Sequence, residues 1–508
     1  MTLVQLLETG SPERHAIGAP ERASMTFSAL RSQSAEVGAA LRTHGLGAND
    51  RVAIVLPNGP EMASSFVALA SVVAAAPLNP AYTEAEFDFY LADLNAKAIV
   101  LSAGVASPAR DIARSKGINI IELHAQADSA AGCFDLDFGS LSEGKQATLA
   151  GNLDTALVLH TSGTTSRPKI VPLTQANLCA SAAHIGRSLS LNPTDSCMNV
   201  MPLFHIHGLI AAVLSSLCAG ASVTCTPGFN ALKFFAWLED EQPTWYTAVP
   251  TMHQSIVERA KRNEAIVGSS KLRFIRSSSS SLPAQVMHEL EHTFACPVIE
   301  SYGMTEAAHQ MTSNLLPPGQ RKAGSVGVSA GPNVRLMNQQ GQFVDGDGEG
   351  EIVIRGPNVT AGYEANEQAN ASAFVVDPDG GENWFRTGDQ GIFDADGFLT
   401  ISGRLKEIIN RGGEKIAPRE VDNILMDHAA VAQVVTFAMP HPKLGEDVAA
   451  AVVLKEGMAV SERELREFAA ERLVAFKVPK KILFLEEIPK GSTGKLQRIG
   501  LAEKLGLS

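Results

Sequence analysis

The chain has 508 residues, far more than one ordinary domain needs, and is 45% hydrophobic and 19% charged, the balance of a water-exposed protein with a large core. Its formal net charge of −12 disfavours non-specific nucleic-acid binding, which relies on Lys and Arg neutralising phosphates, and leaves small molecules as the expected partners. The six cysteines form no CxxC pair and have no His-rich neighbourhood at zinc spacing, so buried reduced thiols are expected.

The first residues, Met1 to Arg14, carry acidic side chains and lack the basic, apolar and cleavage regions of a secretory signal. The ending Gly506-Leu507-Ser508 is not of the SKL type, and a cytoplasmic location is expected. The apolar stretch Met62 to Pro77 falls short of the about 20 residues that span a bilayer, so no stable membrane insertion is expected. Monomer and homodimer both stay open.

From Met1 to about Ala150, strand-like runs at Arg51–Leu56 and Ala98–Ser102 alternate with helix-like stretches such as Glu61–Ala76. The alternation resumes with strands predicted at Thr155–His160, Ser196–Val200, Ala221–Thr226, Thr244–Ala248, Leu272–Arg276 and Pro297–Ser301, which predicts a second α/β lobe. After Gly324 come short β-rich pieces, Val334–Met337, Gly350–Arg355, Gly391–Phe393 and Phe398–Ile401, separated by Gly and Asp turns. They read as a small β-subdomain. From about Gly403 the pattern is helix Pro418–Met426, strands Gln433–Ala438 and Ala449–Leu454, and helix Ser461–Arg472. The predicted class is α/β: a large N-terminal domain of two α/β lobes plus a β-subdomain (1–403), then a mobile α+β C-terminal lid (404–508).

The segment Thr161-Ser-Gly-Thr-Thr-Ser-Arg-Pro-Lys169 directly follows an apolar strand. Small residues let backbone N–H groups approach an anion, and Lys169 adds charge for a polyphosphate. It is not a Walker A loop, since GxxxxGK[ST] is absent. Taken alone, a Ser/Thr/Gly loop is more often just a loop. Further pieces follow in fixed order: Pro202-Leu-Phe-His-Ile-His-Gly208, Tyr302-Gly-Met-Thr-Glu-Ala307, Thr387-Gly-Asp389, Gly403-Arg-Leu-Lys-Glu-Ile-Ile409, Gly412-Gly-Glu-Lys415 and Pro489-Lys-Gly-Ser-Thr-Gly-Lys495.

Together these motifs resemble the acyl-adenylate-forming superfamily, which includes acyl-CoA synthetases, luciferases and nonribosomal adenylation domains, and the resemblance runs from about Leu30 to Arg498. It implies an enzyme that uses ATP, Mg²⁺ and coenzyme A. Thr161, Ser162, Gly163, Thr164, Thr165 and Lys169 would hold the ATP phosphates, although Ser166 and Ile170 stand where the family more often has glycine. Glu300, Ser301 and Tyr302 would surround adenine, with the Tyr302 ring on the base. Thr305 would bond the α-phosphate, Glu306 would carry Mg²⁺, and Asp389 with Arg404 would take the ribose. Lys495 would bridge the acid's carboxylate and the α-phosphate, where two anions must be brought together. Lys490 and Lys477 read as solvated surface charges. Lys406 would be the hinge on which the lid rotates, presenting Gly412, Gly413 and Glu414 to the pantetheine of coenzyme A. His205 would sit at the entrance of the acyl site, whereas His184, His292 and His428 read as packing or surface residues.

Three positions bear on the acid. His207, the serine run around Ser279 and Ser280, and His309 would leave polar groups without partners against an apolar tail, which is costly when buried. A short acid with a second carboxylate satisfies them. Phe204-His-Ile-His-Gly, Thr244-Trp-Tyr-Thr-Ala-Val-Pro-Thr, Arg273-Phe-Ile-Arg-Ser and Met304-Thr-Glu-Ala-Ala-His-Gln-Met311 resemble the oxalate–CoA ligase branch. Met252, His253 and Arg276 could shape the same pocket, and Arg276 could equally only end a strand. Other short, medium-chain or aryl acids, and a stand-alone adenylation or nucleotide-binding protein, are the alternatives.

Overall fold

A computed structural model describes residues 1–144, 146–161, 168–344, 346, 348–377, 380–381, 383–489 and 498–507. Among these residues the chain builds four sheets. A seven-stranded sheet runs Phe134–Asp137, Asn119–Ala125, Ala98–Ser102, Arg51–Val55, Ala74–Pro77, Thr155–Thr161, Lys169–Thr174. A nine-stranded sheet has parallel centre strands Phe274–Ser277, Trp245–Ala248, Ser196–Asn199 and Ser222–Cys225, flanked on one side by Val298–Met304 and the antiparallel His309–Ser313. The predicted pair of α/β lobes is therefore present, but the chain divides differently between them. Thr155–Thr161 and Lys169–Thr174 complete the first sheet, while the N-terminal hairpin His15–Ala19 and Arg22–Thr26 extends the second, its first strand pairing parallel to Ser222–Cys225.

The expected helix Glu61–Ala76 is shorter than its apolar run: the helix is Pro60–Ala70, and Ala74–Pro77 is a strand beside Arg51–Val55. Every residue from Met62 to Pro77 is buried, the polar Ser64, Ser65 and Ser71 included, so no periodicity marks the change. The two α/β layers share one core in which Phe66, Val67, Leu209, Leu214, Trp245 and Phe274 are wholly buried.

The β-rich stretch forms a six-stranded sheet from Asn333 to Arg404 whose last pair sets Asp389 directly opposite Arg404. Five residues after Arg404 a separate five-stranded sheet begins at Ile409–Arg411, covered by helices Pro418–Met426 and Glu462–Ala470 around their own core of Ile409, Val421, Leu425, Val448 and Leu465. The predicted helix Pro418–Met426 is reproduced to the residue. Proline at its first position needs no N–H partner there. No helix among the described residues is long and apolar enough to cross a membrane. All six cysteines are free; Cys133 and Cys218 are half-buried and the other four are buried.

Candidate active site

The parallel strands of the nine-stranded sheet end on a common edge, where ligands of open α/β sheets bind. Thr247 lies near the end of Trp245–Ala248, the serine run follows Phe274–Ser277, and Tyr302 lies near the end of Val298–Met304. Strands Val298–Met304 and His309–Ser313 approach closely at Gly303, where a Cβ would fall 1.8 Å from the His309 carbonyl oxygen. Only glycine fits there. The tight return puts Ala308 and His309 at φ 46° and 101°, and Ser279 across the site stands at φ 71°. Non-glycine residues in this region each carry a conformational cost on the order of 1–3 kcal/mol, and such residues collect at functional sites.

At one end, Tyr302 Oη donates to Asp389 Oδ2 at 2.5 Å and Arg404 Nε donates to Asp389 Oδ1 at 2.9 Å. The Asp389 N–H donates to Thr387 Oγ1, fixing the turn. The carboxylate beside it holds the Arg404 guanidinium well above its ordinary pKa, and burial, reinforced by Asp389, pushes the Tyr302 phenol up. Next along the strand, Glu300 is buried: its Oε1 accepts from the Leu282 N–H at 2.9 Å, its Oε2 has no hydrogen-bond partner, and burial raises its pKa to about 7. Ser301 is buried against the serine run, its carbonyl accepting from Ser278 Oγ at 2.9 Å.

Glu306 sits in the single turn Thr305–Ala307, 6% exposed, and accepts a 2.8 Å hydrogen bond from Tyr363 Oη. Burial raises its pKa. The Lys169 ammonium lies 4.2 Å from the Tyr363 ring centre, a cation–π contact, and its pKa is lowered by burial and then by Lys406. Thr161 is the cross-strand partner of Lys169. A negatively charged group placed between Lys169 and Lys406 would meet two cations. Ser162, Gly163, Thr164 and Thr165 lie outside the described residues, as does Lys495. No cluster of three or more metal-ligating side chains occurs among the described residues. A lone buried carboxylate nonetheless suits Mg²⁺, which is usually held by one or two carboxylates together with water and substrate phosphates.

Lys406 is exposed in the turn between Arg404 and Ile409. Gly412 and Gly413, at φ 59° and 101°, make the hairpin turn to Glu414, with the Gly413 N–H on Asn410 Oδ1. All three are exposed. Lys477 is not a free surface charge, since its ammonium bonds both oxygens of Glu420 at 2.7 and 2.6 Å.

At the other end, His207 and His309 have ring centres 5.0 Å apart, and both are buried. His207 Nδ1 is 3.0 Å from Ser279 Oγ and Nε2 is 2.7 Å from Thr247 Oγ1. Ser279 is half-buried and Ser280 exposed, while His205 is half-buried with its ring 4.5 Å from that of Phe204. Arg276 does not end its strand. It lies inside Phe274–Ser277, fully buried, with Nη1 3.5 Å from Thr247 Oγ1 and Nη2 3.2 Å from Gln310 Oε1. Burial lowers its pKa to about 9. His253, in contrast, belongs to the opposite face: it is bonded to Tyr246, whose side chain alternates away from Thr247. Thr247, Gln310 and Tyr363 join these clusters without being singled out by the sequence. Thr247 and Gln310 fall inside informative segments, but nothing in the sequence turns them toward Arg276.

Residues 8–364 match the AMP-binding enzyme family and residues 420–495 match the AMP-binding enzyme C-terminal domain. The chain belongs to the AMP-binding enzyme family. An oxalate–CoA ligase of Arabidopsis thaliana is 42% identical over 98% of this chain and 97% of its own length, and an oxalate–CoA ligase of Saccharomyces cerevisiae is 41% identical over 90% and 87%. The crystal structure of ATP-bound MatB from Rhodopseudomonas palustris superposes with a TM-score of 0.88 at 27% identity, covering 99% of both chains.

Proposed function

We propose that this chain is an AMP-forming acid:CoA ligase that activates oxalate. The observation that carries the reading is the likeness to two oxalate–CoA ligases over nearly the whole chain, joined to an acyl end made of hydroxyls and imidazoles in front of a buried arginine. In the first half-reaction the carboxylate oxygen attacks the α-phosphorus of ATP and pyrophosphate leaves; in the second the thiol of coenzyme A attacks the acyl carbonyl and AMP leaves.

Asp389, fixed by Tyr302 and Arg404, is oriented to accept from the ribose hydroxyls, while the Tyr302 ring, with Glu300 and Ser301 behind it, offers a face to adenine. Thr305 donates to the α-phosphate. Glu306 is the carboxylate for Mg²⁺, which when bound would neutralise charge on the departing pyrophosphate. Lys169, with Thr161 to Thr165, serves the polyphosphate, and Lys495 screens the meeting of carboxylate and α-phosphate. His205 guards the acyl entrance. Residues 1–403 form the body and 404–508 a lid; after pyrophosphate leaves, rotation at Lys406 withdraws Lys495 and brings Gly412, Gly413 and Glu414 to the pantetheine. The separate core of the lid and the short link after Arg404 support that motion. The protein is taken as cytoplasmic, and as a monomer or homodimer.

The test is AMP release with ATP, Mg²⁺ and coenzyme A across oxalate, malonate, glyoxylate, formate, butyrate and cinnamate. Oxalate should have the highest specificity constant. A higher value for butyrate or cinnamate would refute the substrate, and nucleotide binding without acid-dependent AMP release would make the chain a binding module.

A further inference from the structure

Arg276 is a cation wholly enclosed by protein, with neutral Thr247 and Gln310 as its hydrogen-bonding side chains and no carboxylate in salt-bridge reach among the described residues. A buried charge without a counter-ion is expensive, and a fold retains it where a charge or an oriented dipole is needed nearby. The direction of each bond around it can be worked out. Gln310 Nε2 donates to Ser188 Oγ and to the Ala330 carbonyl, so its Oε1 is turned toward Arg276 and accepts. A guanidinium has no acceptor, so Thr247 Oγ1 must also accept from it. The Thr247 hydroxyl has one proton, and the remaining bonded group is His207 Nε2 at 2.7 Å. With that proton donated, Nε2 is the acceptor nitrogen of a neutral imidazole. Nδ1 then carries the ring proton and donates to Ser279 Oγ at 3.0 Å. The Ser279 proton has to point away from the imidazole, and Ser279 is the first member of this chain that is not fully buried.

We infer that Arg276, Thr247 and His207 form a one-way hydrogen-bond relay that sets Ser279 as a donor toward the acyl site, so that the buried cation selects an acid with a second anionic group. This rests on the oxalate reading above. Arg276, Thr247 and His207 are positioning residues, and Ser279 is the group that meets the distal carboxylate. The relay delivers polarity from a charge that never touches the substrate: chains of hydrogen bonds polarise one another in a low-dielectric interior. A monocarboxylate gains nothing from it.

Thr247→Val removes the central hydroxyl at nearly constant volume, and Thr247→Ser restores it. With pyrophosphate release as the assay, the valine variant should raise the KM for oxalate ~10-fold with kcat largely kept, so that the oxalate-to-butyrate ratio of specificity constants falls by a similar factor, and the serine variant should recover it. The ¹⁵N resonances of His207, assigned against His207→Phe, should report a proton on Nδ1 in the wild-type protein. An equal loss for both acids, no rescue by serine, or a proton on Nε2 would overturn the relay while oxalate use by the wild type leaves the substrate reading standing. A wild type that prefers butyrate would defeat both.

Discussion

At the proposed nucleotide end, Asp389 is a carboxylate whose counter-ion, Arg404, is in contact at 2.9 Å; at the proposed acyl end, Arg276 is a guanidinium whose hydrogen-bonding side chains among the described residues are neutral dipoles. Their surroundings differ accordingly. The Arg404 side chain is 45% exposed and that of Asp389 8%, whereas Arg276 is fully enclosed. A paired acid keeps its charge and offers its remaining lone pairs in a fixed direction, which suits hydroxyl groups that are the same in every turnover. An unpaired buried cation, its charge passed on only through dipoles, suits the recognition of one anion and the rejection of uncharged tails. On the proposed assignment, the nucleotide end binds and the acyl end discriminates.

The sharpest way to break this comparison is at Asp389. Asp389→Ala should lower kcat/KM for ATP by roughly 10²–10⁴, from two lost charge-assisted hydrogen bonds, and by the same factor with oxalate or butyrate as the acid. Pyrophosphate exchange with each acid checks it, and a change in acid preference would erase the division of labour. In the proposed mechanism the C-terminal domain serves both ends in turn, and Lys406→Pro fixes φ at the link and removes an N–H. Pyrophosphate exchange should continue at about the wild-type rate while thioester formation falls on the order of 100-fold. Normal thioester turnover in that variant would remove Lys406 from the hinge role.

His309→Leu, unlike Asp389→Ala, should be selective, lowering the oxalate specificity constant roughly 10- to 100-fold and leaving butyrate nearly unchanged. A uniform fall would mean that His309 only supports the strand return at Gly303. The last effect concerns stability and leaves acid preference untouched. Because burial raises Glu300 from 4.5 to about 7, the folded state binds more protons than the unfolded state between those values. Stability should therefore fall as pH rises through that window and level off above it, by on the order of 3 kcal/mol. Glu300→Gln keeps an acceptor for the Leu282 N–H and should flatten this part of the profile; urea unfolding at pH 5 and pH 8 tests it, and an unchanged slope would place the titration elsewhere.

Motif order and spacing were enough for the family resemblance, the two α/β lobes, the β-subdomain and the small α+β C-terminal part, because strand runs, turn residues and an N-terminal helix proline are local signals. Residue types also pointed to two clusters that the fold assembles, Asp389, Tyr302 and Arg404 in one and His207, Ser279 and His309 in the other. Local pattern failed where burial was uniform, as at Ala74–Pro77, and where partners are remote, as in the N-terminal hairpin that joins the second sheet. The tertiary structure alone decided that Arg276 is an enclosed cation rather than a strand end, that His253 belongs to the far face, and that Thr247, from a neighbouring strand, stands between Arg276 and His207. A hydrogen bond's direction depends on every donor and acceptor around it, and those groups come from segments far apart in the chain, so no stretch of sequence contains that information.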